Sequence, residues 1–340
     1  MKLMRTQDAV GQMLCHDITQ ILPGRFKGPV FRKGHIIREE DVPVLLSVGK
    51  DHVYIWEVNE NMLHENEAAE GLYSLCKSEN MHPSEIKEGK IELIADTDGL
   101  LKIDRAKLRA VNSLGEMMIA SRHGDFPVKK GDKLAGTRVI PLIIEKEKME
   151  RARAAAPGGE IFRVLPFRHK KVGIVTTGNE VFLGRIEDKF TPMLREKLSE
   201  YDTEVVAHDV CGDDADTITA AILKQLSAGA DMVLCTGGMS VDPDDRTPLA
   251  IKNTGAEIIS YGAPVLPGAM FLLSYYGERR RPVVGLPGCV MYARRTIFDL
   301  VLPHLLCDDE LTKADLDGLG EGGLCLNCPT CTFPNCGFGK

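Results

Sequence analysis

The sequence predicts an α/β fold for its second half, a mixed α+β accessory domain before it and a short cysteine-rich tail after it. Three observations carry this. From residue 170 onward, short apolar runs alternate with segments of helical length, the pattern of a parallel sheet covered on both faces in a three-layer arrangement. Before residue 160 the apolar runs are rich in β-branched and aromatic residues and are separated by turn dipeptides. The last 16 residues hold four of the ten cysteines, a density that ordinary core filling does not explain.

Composition narrows the field. With 340 residues and 44% apolar content, the chain can bury a sizeable core in two or more domains, and is not read as disordered. A net charge of −7 and no long basic run argue against a nucleic-acid partner, whose phosphates need clustered Lys and Arg; "GERRRP" at 277–282 is the densest basic patch and it is short. No apolar stretch approaches the roughly 20 residues of a membrane span, and "MKLMRTQDAVGQML" lacks the apolar centre of a signal peptide. The expectation is a cytoplasmic protein with no membrane partner and with reduced thiols outside the tail.

The elements follow in order. In residues 1–160, "HVYIWEV" and "TRVIPLII" read as strands, with Trp56 as a core residue of the first. Asp98-Gly99 and Gly131-Asp132 read as turns, and "DRAKLRAVNSLGEMMIA" as a helix capped by Asp104. A subdomain split is expected near 85–90. "EKEKMERARAAAPGGE" (145–160) reads as a charged helix stopped by Pro157, Gly158 and Gly159. It sets the boundaries 1–160, 161–308 and 309–340. Beyond it come "KKVGIVTTG" as a strand, "DKFTPMLREKLSEY" as a helix, "TEVVAHDV" as a strand and "DADTITAAILKQLSAGA" as a helix. "DMVLCTGG" is a strand, followed by a helix starting near Pro243. "AEIISYGA" and "RPVVGLPG" are strands, and "VMYARRTIFDLVLPHLL" is a long helix. In such sheets ligands sit beyond the carboxyl ends of the strands. The loops after "GIVTTG", "VLCTGG" and "VVGLPG" are therefore expected to share one rim.

That rim has a chemical character. Three strands end in glycine, which adopts unusual backbone angles and lets N–H groups approach an anion closely. "CTGGMSVDPDDRTP" (235–248) then adds Asp242, Asp244 and Asp245, which repel a bare phosphate. Mg²⁺, a hard cation that bridges carboxylate to phosphate, resolves the conflict. The same residue types also serve turns and helix caps for local reasons, and for Asp244 a helix-start role is the better account. No "GxxxxGK[ST]" is present and no "GxGxxG" follows the first strand, so P-loop and dinucleotide binding are disfavoured.

Taken together, "TTGNEVFLGRIED" (176–188), "CTGGMSVDPDDRTPLAI" (235–251), "VLPGAMF" (265–271) and "VVGLPGCVMYA" (283–293) resemble the molybdopterin-binding domain of molybdenum-cofactor biosynthesis proteins. Molybdopterin adenylyltransferases, molybdopterin molybdenumtransferases and a competence-damage-inducible family share that domain. The resemblance covers about residues 168–307. It implies a pterin dithiolene with a phosphate tail bound across the strand ends, with ATP or an adenylated pterin in the same cleft. By matching position, Thr177, Gly178, Asn179 and Glu180 stand at the "TG[DN]E" loop. Gly237, Gly238 and Ser240 stand at the phosphate cradle, with Thr247 after it. Pro267 and Gly268 fall in the "VLPG" segment, and Gly285, Pro287 and Gly288 in the "GLPG" turn. Asp245, with Asp242, would position Mg²⁺, and Glu180 would bind a second cation or orient water. Two departures stand out: Cys289 and Val290 replace the usual Asn-Pro after "GLPG", and the first aspartate of the transferase pattern has moved to Asp242.

The function this implies is molybdenum cofactor biosynthesis by a molybdenumtransferase-like enzyme. It would bind molybdopterin or adenylyl-molybdopterin and carry out Mg²⁺-dependent molybdenum insertion with AMP release. Adenylyl transfer from ATP to molybdopterin is the nearest alternative, a non-catalytic cofactor carrier or sensor the alternative of another class, and nucleotide hydrolysis a remote one. A recipient molybdoenzyme and self-association into a homo-oligomer are the implied partners. In the tail, Cys325, Cys328, Cys331 and Cys336 have the spacing of metal ligands, with a zinc ion or an iron–sulfur centre as the expected occupant.

Overall fold

Val-, Ile- and Leu-rich runs after residue 170 assemble one six-stranded sheet, whose four inner strands are buried on both faces and must be covered twice, while the two edge strands, Thr203–Cys211 and Glu257–Tyr261, keep exposed polar residues. The computed structural model describes residues 1–22, 26–55, 60–240 and 242–340, so Trp56 lies outside the described residues. The strands are β1 (Lys170–Thr177), β2 (Thr203–Cys211), β3 (Met232–Thr236), β4 (Glu257–Tyr261), β5 (Leu272–Tyr276) and β6 (Arg281–Leu286). Their order across the sheet is β2-β1-β3-β6-β5-β4.

Residue parity decides which layer each side chain enters. Val172 and Ile174, Met232 and Leu234, and Val284 and Leu286 join one buried cluster. Val175, Val233, Cys235 and Val283 join the other. Helices α1 (Phe190–Leu198) and α4 (Ile297–Leu306) cover the first face through Leu194, Leu198, Phe298 and Val301. Helices α2 (Ala215–Ser227) and α3 (Thr247–Asn253) cover the second through Ile218, Ile222, Ala250 and Ile251. Each fully buried Leu or Ile contributes roughly 2 kcal/mol by removal from water, so this double cover is what holds the strand ends in place.

Several sequence expectations change here. The sheet is not wholly parallel: β2, β1, β3 and β6 run parallel, but β5 pairs antiparallel with β6 and β4 antiparallel with β5. The reason is local. "GERR" (277–280) forms a tight turn, with Gly277 and Arg280 at φ 65° and 51°, and folds β5 directly back on β6 as a hairpin. The helix after the acidic loop starts at Thr247, not near Pro243, with Pro248 in its first turn. The long final helix is broken. Residues Gly288–Met291 form a 3₁₀ turn, and α4 starts only at Ile297, where Thr296 caps it by accepting from Phe298 N at 3.2 Å.

The chain separates into two compact units. The first comprises residues 1–95, 103–122 and 131–163, and the second 96–102, 123–130 and 164–340. In the first unit an antiparallel sheet of Met81–Pro83, Lys90–Ala95, Lys133–Val139 and Met117–Ser121 packs on the helix Glu65–Cys76. Asp104 caps its helix as expected, accepting from Lys107 N at 2.9 Å. That helix ends at Asn112, however, and Met117–Ser121 is a strand. Gly115 and Glu116 take φ 69° and 61°, a left-handed pair that no helix can contain. The charged helix before residue 160 spans Lys146–Ala155. Among the described residues, no helix is long and apolar enough to cross a membrane.

Candidate functional site

The parallel register brings the strand ends level. Thr177 of β1 lies opposite Cys211 of β2, and Thr176, Thr236 and Leu286 pair across β1, β3 and β6. The residues that follow them leave the sheet along one edge.

Two threonines tie the tips together. Thr177 Oγ1 donates to Thr236 O at 3.1 Å and lies 3.0 Å from Thr247 Oγ1, while Thr247 Oγ1 lies 2.9 Å from Gly237 O. Thr247 N donates to Gly238 O at 3.2 Å. Both threonines are buried, so the Gly-Gly corner is fixed by hydrogen bonds shielded from water. The glycines are required there. Gly237 sits at φ 83°, and a Cβ would overlap Thr177 O; at Gly238, φ 54°, a Cβ would come within 2.8 Å of Thr247 Oγ1. Thr236 Oγ1 is buried and has no hydrogen-bond partner among the described residues. By strand parity it points, with Met232 and Leu234, to the sheet face opposite the Thr177–Thr247 pair.

The first tip turns sharply. Gly178, φ 131°, donates its N–H to Cys211 O at 3.1 Å. The Glu180 carboxylate folds back over it, so that a Cβ on Gly178 would lie 2.8 Å from Glu180 Oε1. Asn179 and Glu180 are exposed. Asn179 is locked reciprocally to Asp213: its N–H donates to Asp213 Oδ2 at 2.9 Å, and its Oδ1 accepts from Asp213 N at 3.3 Å. A cavity of about 630 Å³ opens here, lined by Asn179, Phe182, Asp213, Asp244, Arg246 and Leu249 among others.

The acidic loop closes on itself through its backbone, where Asp245 N donates to Asp242 O at 3.0 Å. Asp242, Asp244 and Ser240 are exposed and Asp245 half-buried. Tyr261 of β4 donates its hydroxyl to Met239 O at 2.9 Å. Burial and the Asp245 carboxylate push its phenol above the usual value. Met239 is buried against Gly285, where a Cβ would come within 2.5 Å of Met239 Cε. That contact explains the first glycine of "GLPG" and couples it to the Gly-Gly corner. Pro287 is buried, and Gly288 is exposed, with open space where a Cβ would stand.

Not every expected residue meets the rim. Gly268, φ 133°, is placed by packing, since a Cβ would lie 2.5 Å from Ile297 Cγ2. Pro267 lines a different cavity, beside the tail. Cys289 is half-buried, and burial raises its thiol above the usual value, which leaves it a poor nucleophile at neutral pH. The four tail cysteines do not form the expected compact cage. Among the described residues, no three His, Cys, Asp or Glu side chains are gathered to hold a metal ion. Cys325 and Cys336 are drawn against the core, while Cys328 and Cys331 stay exposed on the loop between them. Residues the sequence reading passed over are Thr236, Asp213, Arg246 and Tyr261. "CGDDAD" (211–216), acids directly after an apolar strand, was the available signal for Asp213.

Comparison with known proteins points to the same region of the chain. Residues 173–306 match a family model described as a probable molybdopterin binding domain, and residues 3–57 match a domain of unknown function. Over 179 residues the chain is 30% identical to the molybdopterin molybdenumtransferase of Synechococcus elongatus, covering 48% of this chain and 43% of that protein. Over 90 residues it is 32% identical to a CinA-like protein of Mycobacterium sp. (strain MCS), covering 26% of this chain and 21% of the relative. The chain thus spans less than half the length of these curated relatives. The solved structure of the molybdopterin biosynthesis enzyme MoaB from Thermus thermophilus is 25% identical, with 43% of this chain and 97% of that one covered at a TM-score of 0.35. Residues 173–306 belong to the family of molybdopterin-binding domains found in molybdenum cofactor biosynthesis proteins.

Proposed function

We propose that this protein binds molybdopterin or its adenylate at the strand-tip rim and catalyses molybdenum insertion with release of AMP. The observation that carries this reading is the Thr177–Thr247–Gly237 lock, which holds a Gly-Gly corner at the strand tips. A phosphate placed there would receive backbone N–H groups without displacing any side chain.

The acidic loop fits a magnesium ion in a limited way. With no three-carboxylate cluster among the described residues, Asp242 and Asp245 would supply at most two protein ligands, leaving positions for water and phosphate, which is the habit of Mg²⁺. The ion would supply charge neutralisation at the phosphoryl oxygens. The chain's own residues do the rest. Gly237 and Gly238 seat the phosphate, Glu180 stands beside the first tip to orient water, and Arg246 offers a cation on the cavity wall to oppose the nucleotide's negative charge.

Incubation of the full chain with adenylyl-molybdopterin, molybdate and Mg²⁺ tests the proposal. The expected result is AMP release that falls at least about 100-fold in Asp245→Ala, the scale for losing one electrostatic contact to a transferring group. Tight pterin binding without turnover would favour a carrier, and pyrophosphate release from ATP and molybdopterin would favour adenylyl transfer.

A further inference from the structure

Four thiols that the proposed reaction does not use line a single cavity in the second unit. The tail is pinned on both sides of them. Cys325 N donates to Leu266 O at 2.8 Å, and Gly339 N donates to Gly322 O at 2.9 Å. Phe333 and Phe338 pack beside Phe126, with ring centroids 5.9 Å apart for Phe126–Phe333 and 6.2 Å for Phe333–Phe338. Between the pins, Arg294 Nη1 donates to Pro329 O at 3.0 Å and draws the exposed loop inward. The cavity measures about 670 Å³, and Cys325, Cys328, Cys331 and Cys336 all stand on its wall. None of them is in a disulfide.

Two features set the class of ligand. The wall, among the described residues, carries no carboxylate and no imidazole; beside the neutral side chains of Tyr292, Asn327 and Thr332 its donors are soft sulfur, which selects thiophilic metals. The arrangement then separates one metal ion from several. A mononuclear tetrahedral ion with bonds of about 2.3 Å forces its sulfurs to within about 4 Å of one another, and no three of these thiols are gathered around one point. Thiols spread over the wall of a shared cavity suit a polynuclear centre, in which inorganic sulfide fills the middle and separate irons take separate cysteines. Arg294 on the same wall opposes the negative charge that such a centre carries, whereas Arg295 is already paired with Glu200 and Asp299.

We propose that Cys325, Cys328, Cys331 and Cys336 hold an iron–sulfur cluster in the tail cavity, in preference to the single zinc ion that their spacing equally allows. The inference does not depend on the activity proposed for the rim. The full chain, reconstituted anaerobically with ferrous iron, sulfide and dithiothreitol and then desalted, is assayed for iron, acid-labile sulfide and electron paramagnetic resonance after dithionite. Iron and sulfide are expected in equal amounts, about four or about two of each per chain according to cluster type. Retained iron should fall by roughly ten-fold or more in Cys331→Ser, whose exposed position should leave the far-ultraviolet circular dichroism and the metal-free melting temperature at the wild-type values. Retention of one zinc per chain with iron excluded in competition would overturn the proposal, as would equal iron retention by wild type, Cys328→Ser and Cys331→Ser.

Discussion

The strand-tip rim and the cysteine tail are both marked by closely spaced residues of one kind, yet they are built by opposite means. At the rim the glycines are fixed by backbone geometry and by buried hydroxyls, so the corner exists before any ligand arrives. In the tail the thiols share a cavity without meeting. The difference follows from what each motif encodes. A glycine corner is a backbone shape, which the sheet register alone can set. A four-thiolate centre is held together largely by its own metal–sulfur bonds.

The sharpest way to break this comparison is Gly237→Ala. Its Cβ would overlap Thr177 O at a φ of 83°, and the loss in urea unfolding should be about 3 kcal/mol. Gly184, φ 67° with nothing within 4 Å, is the control. Gly184→Ala carries the strain without the clash and should lose about 1 kcal/mol. Equal losses at the two positions would mean that the corner is not preformed.

Thr247→Val comes next, since it preserves shape while removing the hydroxyl shared by Thr177 and Gly237. A loss of about 2 kcal/mol is expected, together with weaker retention of a phosphate-bearing pterin in equilibrium dialysis.

A slightly smaller effect is available from pH, away from the rim. Burial opposes ionisation of Asp309, but hydrogen bonds from His304 and Lys102 outweigh it and hold the carboxyl at about 2. A depressed carboxylate stabilises the fold above its unfolded value and loses that contribution as pH falls through the folded one. Discounted for solvent screening of a partly exposed group, stability should drop by about 1 to 2 kcal/mol between roughly pH 4 and pH 2. Urea titrations at several pH values should show this slope in the wild type and a reduced slope in Asp309→Asn.

Tyr261→Phe removes the hydroxyl that donates to Met239 O at 2.9 Å and lies 3.4 Å from Ser240 O; it should change stability by about 1 kcal/mol or less, with the larger effect on pterin binding. The smallest effect is expected at Asp244. It is exposed, and Asp244→Asn should stay within about 0.5 kcal/mol of the wild type in the same urea experiment.

Much of the second unit is legible in the sequence because its signals are local. Apolar runs such as "GIVTTG" and "MVLCTGG" read as buried strands, and in the first unit Asp104 reads as a helix cap, accepting from Lys107 N. Misreadings come where a local turn overrides periodicity, at Gly115-Glu116 and at the "GERR" hairpin. Met239 could not be read as the reason for Gly285, because the two approach only when β3 and β6 lie side by side.

What the sequence by itself determined is the alternation of apolar runs with helices, the glycines at the strand ends and the acidic loop that follows one of them, all properties of neighbours along the chain. Only the tertiary structure decided that Thr177 and Thr247, 70 positions apart, clamp the same corner, that Asp213 grips Asn179, and that four thiols share one wall without converging. Such contacts depend on register and on which face packs inward, and these are set by the burial of the whole core rather than by any single segment.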